Sequence, residues 1–407
     1  MHKLRLKHPE AHPERRSFPE ESSESLIITG KDIIDAVKTF PNGSSGGLDG
    51  IRPQHLKDLV SCVEASSNFI PSLVNFTNKL IEGKCPKKVQ PYLFGGNLIA
   101  LAKKDGGVRP IAVGSVWRRL AAKCVNTYAT IKLGDLFSPE QLGVGVKGGA
   151  EAAAHAARRY LMELRPGQHL MKLDFTNAFN TLRRDSMLEI VHASIPEIYN
   201  FVHLAYAEDS FLSFRGVRIK SSEGPQQGDP LGSLLFASTT KHILNEMKSP
   251  LVMGFLDDFS AGGDTSCLVD DLDTVQRMAR EIGLDLNIPK CEIITLDDYD
   301  TLPAAFRDFR KLRPVECELL GAPLLCGPAM NKAIETRCLD LAKAADRLGS
   351  LASHDALLIL KSSLSAPKLL YTLRSSPCTG HPGLDIFDRT LRETLATITN
   401  VDIDDFA

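Results

Sequence analysis

The chain has 407 residues, 43% hydrophobic and 24% charged, which is ordinary for a globular protein large enough for two or three domain-sized units. No apolar stretch reaches the length of a membrane span, and the first 20 residues are too charged and proline-containing for a signal peptide. The nine cysteines are an odd number without a C-x-x-C pair, which argues against a zinc module and a disulfide framework. We therefore expect an intracellular protein of the nucleus or cytoplasm, with no membrane partner.

The net charge of -2 conceals two segments of opposite charge. Residues 84–123 contain nine Lys or Arg and one acid, so this segment is predicted to attract polyanions. Residues 255–308, by contrast, are dominated by Asp and Glu. A basic surface that faces an acidic, cation-binding pocket is the arrangement a phosphate-transfer enzyme requires.

The first third of the chain is predicted to be mainly helical. Residues 1–24 are polar and charged, and we expect a disordered lead-in there. Apolar spacing predicts a helix within residues 25–40, a glycine-rich loop covers residues 41–50, and further helices are predicted over 54–63 and 72–81.

A basic β-hairpin follows. Residues 96–104 and 108–113 are predicted strands joined by an Asp-Gly-Gly turn, with Lys103, Lys104 and Arg109 at the tip. A cationic tip is suited to clamping a triphosphate, and a solvated turn is the alternative for this stretch taken alone.

Residues 143–148 match the pattern G-x-G-x-x-G and open a predicted helix over 150–164. A dinucleotide-binding fingerprint requires a strand immediately before the glycines, whereas residues 137–141 are typical of a turn. The dinucleotide interpretation is therefore rejected.

Alternating strand and helix patterns fill the middle of the chain. The predicted elements are a half-buried strand over residues 169–175 that carries Asp174 near its end, a helix over 182–193, a strand and turn over 211–220, a loop over 224–232, helices over 233–247 and 267–282, and a strand over 292–294. An apolar turn follows at residues 319–324, and the pattern beyond residue 330 is helical, as in a separate C-terminal subdomain.

Two adjacent carboxylates, Asp257 and Asp258, are predicted at the tip of a second hairpin. The apolar run 251–253 enters the tip, and residues 259–263 return from it. Because adjacent carboxylates repel each other, a fold that fixes both of them needs a cation, and Mg²⁺ is the usual ion of phosphate chemistry. A solvated acidic turn is the alternative.

The order of these elements resembles that of the reverse transcriptases, most closely those of retrotransposons without long terminal repeats, over roughly residues 44–325. The matching segments are the finger elements 46–53 and 102–110, the catalytic motifs 173–179, 226–231, 255–258 and 283–292, and the primer-grip turn 320–321.

This resemblance implies an α+β right-hand polymerase. Residues 25–325 would form fingers and a palm with an antiparallel sheet, and residues 326–407 a helical thumb-like region. The implied activity is that of an RNA-directed DNA polymerase within a retrotransposon polyprotein. Its implied partners are an RNA template, a DNA primer and deoxynucleoside triphosphates; the oligomeric state is not indicated.

The resemblance also implies roles for individual residues. Two Mg²⁺ ions, with Mn²⁺ as the alternative ion, would be held by Asp174, Asp257, Asp258 and the Phe175 carbonyl. Lys103, Lys104 and Arg109 would hold the triphosphate, Gln227 would hydrogen-bond the nucleotide, and Gly228 would let the backbone approach it. Leu320 and Gly321 would form the primer grip. Lys290 would protonate the leaving pyrophosphate or be a solvated lysine at a strand edge.

Phe179 occupies the position of the family's sugar gate. A rigid ring beneath C2′ leaves no room for a hydroxyl group, so deoxynucleotides would be preferred. The alternative is an ordinary core phenylalanine at the start of a helix.

Three positions depart from the family pattern. Leu256 replaces a small residue before the paired aspartates and is expected to crowd the primer end. Gly232-Ser233 replaces Ser-Pro, and Asn180 replaces Asp. These differences bear on rate and fidelity more than on the type of reaction.

Three other functions remain open from the sequence. The chain resembles no endonuclease, RNase H domain or zinc knuckle, so it is either one domain of a longer element or a catalytically silent remnant that binds nucleic acid. A viral RNA-dependent RNA polymerase shares the palm, although Phe179 argues against it. A nucleotide cyclase palm is suggested only by residues 262–264.

Overall fold

The computed structural model describes residues 1–103 and 106–403, so the predicted triphosphate ligand Lys104 lies outside the described residues. The strands are β1 (Gly96–Ala102), β2 (Val108–Gly114), β3 (Gln168–Leu173), β4 (Ser210–Phe214), β5 (Val217–Ser221), β6 (Leu251–Phe255), β7 (Asp258–Asp264), β8 (Glu292–Thr295), β9 (Arg310–Leu312), β10 (Glu318–Leu319) and β11 (Ala322–Pro323).

The helices surround these strands. They are α1 (His2–Leu6), α2 (Gly30–Lys38), α3 (Pro53–Ser61), α4 (Val63–Ile81), α5 (Gln90–Phe94), α6 (Val116–Lys132), α7 (Gly134–Phe137), α8 (Gly149–Met162), α9 (Ala178–Thr181), α10 (Arg184–Ser194), α11 (Tyr199–Tyr206), α12 (Gly232–Glu246), α13 (Thr265–Glu281), α14 (Pro328–Leu348), α15 (Ser353–Ile359), α16 (Ala366–Ser375) and α17 (Pro382–Thr399). Short 3₁₀ turns include Ile288–Lys290, and Leu360–Leu364 is a π-helical turn.

The larger sheet has the strand order β6-β7-β3-β8-β9 and is antiparallel except for the β8–β9 pair. In its register Leu173 pairs with Phe259, and Phe255 pairs with Asp258. The end of β3 therefore lies beside the turn between β6 and β7. This register brings together the ends of two elements that are far apart in sequence.

The predicted half-buried character of β3 is wrong. Leu170 packs with the alanines of α8 on one face, while Met171 and Leu173 pack with residues of α12 and α13 on the other. Even His169 is fully buried, with its ring nitrogens within 3.0 Å of threonine hydroxyls. Helices pack on both faces of the sheet. Alternation of apolar and polar residues along one strand does not show whether its second face is also covered by helices.

The smaller sheet has the strand order β2-β1-β4-β5 and contains the predicted hairpin, whose two strands are confirmed. The β1–β4 pair is parallel, and the other two pairs are antiparallel. Next to this sheet lies the largest apolar cluster, which joins residues such as Ile33 of α2, Leu120 of α6, Val191 of α10 and Leu235 of α12.

The basic segment 84–123 is only partly a polyanion-attracting surface, because Arg118 is buried. Its guanidinium donates to the carboxylate of Asp229 at 2.5 Å, to Gln226 Oε1 at 2.7 Å and to the Tyr206 hydroxyl at 3.0 Å. Burial is the largest single effect and lowers the pKa of Arg118, but Asp229 and Tyr206 together outweigh it and raise that pKa. Arg118 therefore links α6 to the loop that precedes α12. A count of positive charges in the sequence cannot distinguish this buried arginine from cations on the surface.

Residues 1–24, for which a disordered lead-in is expected, make defined contacts with the rest of the chain. Leu4 of α1 is 3% exposed and packs with Leu98 and Ala112 of the smaller sheet. Further along, the Tyr199 hydroxyl donates to the Pro19 carbonyl at 2.6 Å. A few anchoring residues hold a segment whose average composition is polar, and average composition does not reveal such anchors.

Most predicted helices are confirmed with shifted ends, and the largest shift is in α4. This helix begins at Val63 although the pattern predicted residues 72–81, and it contains Pro71. Proline in a helix interior costs about 3 kcal/mol, so packing of residues such as Leu73 and Leu80 must outweigh the break.

The C-terminal region is helical, as predicted. Leu341 of α14, Leu369 of α16 and Phe387 of α17 form a small core of their own. The region contacts the rest of the chain where the Tyr371 hydroxyl donates to the Leu320 carbonyl at 3.0 Å. Within the described residues, no helix is both long and apolar enough to cross a membrane.

Candidate active site

A cavity of about 510 Å³ lies between the β1–β2 hairpin and the end of β3. Its lining includes ten of the residues that the sequence predicted for the site: Lys103, Arg109, Asp174, Phe175, Phe179, Gln227, Gly228, Asp257, Asp258 and Lys290. These residues come from five separate segments of the chain. We call this space the nucleotide cavity.

The three carboxylates reach the nucleotide cavity from two strands. Asp174 follows β3 directly, Asp257 lies in the turn between β6 and β7, and Asp258 begins β7. Leu256 begins this two-residue turn with a φ of 58°, a conformation that costs a non-glycine residue about 1–2 kcal/mol. The turn is therefore strained, and surrounding contacts must hold it.

Burial and mutual repulsion shift the ionisation of the paired aspartates. Burial, Asp257 and Asp174 together raise the pKa of Asp258 to about 6, although its side chain keeps contact with solvent at the cavity floor. The pKa of Asp257 is raised as well, first by burial and then by Asp174, while Arg109 and Lys103 act in the opposite direction. The hairpin cations therefore lie close enough to act on the carboxylates.

Asp174 is held by the segment before β8. The Asn287 amide donates to Asp174 Oδ2 at 3.0 Å, and the Asn287 backbone N–H donates to the Asp174 carbonyl at 2.7 Å. Phe175 pairs with Leu286 in an isolated antiparallel bridge. These contacts explain why the predicted fourth motif accompanies the first, but the sequence analysis did not identify Asn287.

The carboxylates suit a divalent cation by their chemistry. Carboxylate oxygens are ligands that Mg²⁺ prefers, and a nearby cation would offset the burial and the carboxylate repulsion that raise the pKa values of Asp257 and Asp258. The side chains are not gathered into a finished ligand set, since residues 1–103 and 106–403 contain no group of three or more His, Cys, Asp or Glu placed to hold a metal ion.

The Gln-Gly loop joins the smaller sheet to the nucleotide cavity. The Gln227 carbonyl accepts the N–H of Ala112 at 2.7 Å. Gly228 has a φ of 112°, and a Cβ atom there would lie 2.5 Å from the Ala112 carbonyl oxygen. Glycine is therefore required at position 228 for the loop to lie flat against β2.

Phe179 lines the nucleotide cavity and is only partly buried. Its ring stacks on Phe236 of α12, with centroids 4.7 Å apart and an interplanar angle of 16°. Phe236 is fully buried, so the Phe179 ring rests on a fixed support. Nearby, Asn180 is buried and donates to Asn177 Oδ1 at 3.2 Å.

The predicted primer-grip residues lie outside the nucleotide cavity. Leu320 and Gly321, with φ values of 51° and 78°, form the turn between β10 and β11 and line a second cavity of about 710 Å³. Asp174, Asp258 and Lys290 line both spaces, so the cavities meet at the carboxylates. Leu256 lines the nucleotide cavity, whereas the sequence led us to expect it at the primer end.

Gln141 supports the strained turn and was missed by the sequence analysis. Its side chain is fully buried, and Oε1 accepts the N–H groups of Leu256 at 2.9 Å and Gly143 at 3.0 Å. The backbone beside it pairs with Gly254 through two hydrogen bonds of 2.7 Å. A Cβ atom on Gly143 would lie 2.7 Å from the Leu256 nitrogen, so this glycine permits the close approach. No spacing or composition signal distinguishes such a glutamine from a turn residue.

The nucleotide cavity thus combines paired carboxylates at adjoining strand ends with a cationic hairpin and a glutamine-glycine loop. The family model described as reverse transcriptase (RNA-dependent DNA polymerase) matches residues 101–324. This match covers more than half of the chain, and the chain therefore belongs to the reverse transcriptase family. The resemblance predicted from the ordered motifs is confirmed.

Two relatives belong to retrotransposable elements. The chain is 24% identical over 294 residues to the SLACS 132 kDa protein of Trypanosoma brucei gambiense, covering 69% of the chain and 24% of that protein. It is 22% identical over 282 residues to the Pol polyprotein from type-1 retrotransposable element R2 of Nasonia vitripennis, covering 62% of the chain and 26% of that protein. The chain thus spans about a quarter of the length of these relatives.

Similar solved structures include two yeast telomerases. Apo telomerase from Candida tropicalis has a TM-score of 0.44 at 12% identity, covering 85% of the chain and 67% of that protein. Telomerase from Candida albicans has a TM-score of 0.43 at 10% identity, covering 78% and 62%. These similarities are weak, and the family assignment rests on the family match.

Asp258→Asn is expected to stabilise the metal-free protein at neutral pH. A carboxyl group with a raised pKa binds its proton more tightly in the folded state, so wild-type stability falls as pH rises from about 4 to about 6 and then stays low. The variant has no carboxyl group at position 258, so its stability does not fall in this way as the pH rises. Melting temperatures in EDTA should therefore favour the variant at pH 8, by a margin that shrinks towards pH 4.5.

The matched control is Asp308→Asn, which neutralises an exposed aspartate outside the site. This variant should show no comparable pH-dependent gain. Equal gains from Asp258→Asn at pH 8 and pH 4.5 would contradict the electrostatic origin of the effect.

Gln141→Met is expected to lower the rate of catalysis more than the affinity for nucleotide. The variant leaves the buried N–H of Leu256 without its acceptor, a loss of about 1–3 kcal/mol, and releases the turn that carries Asp257. Steady-state primer extension should show kcat reduced about tenfold, with KM for the nucleotide nearly unchanged.

Gln90→Met provides the control, because the Gln90 side-chain amide likewise hydrogen-bonds the backbone, donating to the Leu204 carbonyl at 2.9 Å, away from the nucleotide cavity. It should lower the melting temperature without lowering kcat. A similar fall in kcat for both variants would show that Gln141 has only a general structural role.

Proposed function

We propose that the chain is the polymerase portion of a retrotransposon protein and acts as an RNA-directed DNA polymerase. Its partners would be an RNA template, a DNA primer and deoxynucleoside triphosphates. Support comes from the single cavity that combines Asp174, Asp257 and Asp258 with the cations Lys103 and Arg109. Residues 25–325 would serve as fingers and palm, and residues 326–407 as the thumb.

Asp174, Asp257 and Asp258 would hold two divalent metal ions, Mg²⁺ or Mn²⁺, together with the Phe175 carbonyl. These ions supply Lewis-acid activation of the primer hydroxyl and stabilise the charge on the leaving pyrophosphate. The raised pKa values support this assignment, since a bound cation would offset the burial and the carboxylate repulsion that raise them. The Phe175 ring packs on Phe259, with centroids 5.2 Å apart. The proposed metal contact would therefore come from the Phe175 backbone carbonyl and not from its side chain.

The remaining cavity residues would position the nucleotide and manage protons. Lys103 and Arg109 would bind the triphosphate, and Gln227 would hydrogen-bond the nucleotide beside Gly228. Lys290, which lines both cavities, would donate a proton to the leaving pyrophosphate. Lys104 lies outside the described residues, and its triphosphate contact stays a prediction from the sequence.

The second cavity would receive the primer end. Leu320 and Gly321 line it together with Asp174 and Asp258, and the Tyr371 hydroxyl of α16 links their turn to the C-terminal helices. A primer that occupies this cavity would present its 3′-hydroxyl at the point where the two cavities meet. The exposed Lys332 and Arg310 on its rim would favour a nucleic-acid backbone.

Primer extension on an RNA template tests the proposed function. The wild-type chain with Mg²⁺ and deoxynucleotides is expected to extend a DNA primer, and Asp174→Asn should reduce extension by at least about 10²-fold because a charged ligand is lost. Extension products resolved on a denaturing gel measure the rate. A DNA template run in parallel reports template preference.

Asp273→Asn is the matched control, since it removes an exposed carboxylate from α13 outside the cavities. Its activity should equal that of the wild type. Binding of template–primer without extension by a folded wild-type chain would reject the polymerase and leave the catalytically silent remnant.

Phe179→Val is expected to weaken discrimination against ribonucleotides. Shortening the side chain opens space beneath C2′ and removes an overlap worth about 1–3 kcal/mol, so the ratio of kcat/KM for dNTP over rNTP should fall about tenfold. Single-nucleotide incorporation assays with matched dNTP and rNTP measure that ratio.

The exposed Phe211 of β4 offers a control, because Phe211→Val shortens an aromatic side chain outside the nucleotide cavity. Its discrimination ratio should match the wild type. An unchanged ratio in Phe179→Val, with retained extension, would identify Phe179 as a core residue and remove its role as sugar gate.

A further inference from the structure

The N-terminal strap, residues 2–16, crosses from the smaller sheet to the region beside the nucleotide cavity. Its first anchor is Leu4, which is 3% exposed among Leu98, Ala112 and other apolar residues of that sheet. Burying a leucine side chain contributes about 1.5–3 kcal/mol. The strap is therefore held by packing at the fingers.

Polar contacts also hold the strap along its length. Lys3 Nζ donates to the Gly106 carbonyl at the tip of the β1–β2 hairpin, at 3.0 Å. Further along, the backbone N–H groups of His12 and Arg16 donate to the carboxylates of Glu223 and Asp185, each at 2.9 Å. The strap thus connects the cationic hairpin with α10 and with the segment that follows β5.

Between these anchors the strap forms part of the cavity wall. The Asn177 side chain donates to the Lys7 carbonyl at 3.0 Å, and Lys7 itself lines the nucleotide cavity. Asn177 lies in the loop between Asp174 and Phe179 and has a φ of 55°. The contact therefore places Lys7 against the loop that carries the first carboxylate.

We propose that Lys7 is a further triphosphate-binding residue and that the strap holds it in place. This inference rests on the proposed function. Lys7 lines the same cavity as Lys103 and Arg109, both of which act electrostatically on Asp257, and it is absent from the lining of the primer-side cavity. A third cation at this position would bind the charge of the incoming triphosphate rather than the backbone of the primer.

Equilibrium binding of dTTP to the full chain, in Mg²⁺ without primer, tests the proposal. Lys7→Ala should weaken dTTP binding about tenfold, the effect of losing one charge-assisted contact, and Lys7→Arg should recover most of the affinity. In steady-state extension, Lys7→Ala should raise KM for the nucleotide with kcat nearly unchanged. Thermal melting confirms that each variant is folded.

Arg5→Ala is the matched control, because Arg5 is an exposed cation on α1 that does not line the nucleotide cavity. It should bind dTTP as the wild type does. Equal weakening by Arg5→Ala would overturn the proposal by showing a general charge effect. A change of less than twofold in Lys7→Ala would overturn it too.

Two further measurements separate this proposal from its alternatives. Fluorescence anisotropy with a template–primer duplex should give the same affinity for Lys7→Ala and wild type; selective loss of duplex binding would assign Lys7 to nucleic acid and overturn the proposal. Failure of the wild type to extend a primer, while it binds dTTP through Lys7, would reject the polymerase and retain the binding site. Failure of the wild type to bind dTTP would overturn the proposal directly.

Discussion

Repulsion among three carboxylates is the constraint around which the centre of this fold is arranged. Pairing of β3 with β7 places Asp174 beside Asp258, and the preceding turn adds Asp257. Burial and like charge raise the pKa values of the paired aspartates, so the folded protein bears an electrostatic cost at neutral pH. Because helices pack on both faces of the larger sheet, these strands are held together despite the repulsion.

The contacts around the carboxylates keep them close without removing that cost. Asn287 holds Asp174 by side chain and backbone, and Gln141 holds the turn at Leu256. Neither amide carries a charge, so neither neutralises the carboxylates. The unrelieved repulsion leaves the site receptive to cations, which is the physical basis for assigning metal ions there.

The smaller sheet and the loop before α12 are joined through polar contacts. Ala112 of β2 donates to Gln227, and Arg118 of α6 pairs with Asp229 two residues further along the same loop. Both ends of the Arg118–Asp229 pair are almost fully buried, and a buried charge that loses its partner costs about 3–5 kcal/mol. The loop that would contact the nucleotide is thus fixed to the smaller sheet, and the cavity has a defined width.

Local sequence patterns determined much of this protein. Apolar alternation and turn chemistry indicated both hairpins and most helices, and the order of the short motifs identified the family and the carboxylates. Only the tertiary structure decided that Arg118 is buried, that Gln141 holds the turn at Leu256 and Asn287 holds Asp174, and that the N-terminal strap is attached. Hydrogen-bond partners such as Gln141 and Leu256 lie 115 residues apart, and no local spacing records a contact over that separation. Periodicity along a helix or strand indicates which of its residues are buried. Contacts between residues of different elements form only when the chain folds, so no local pattern records them.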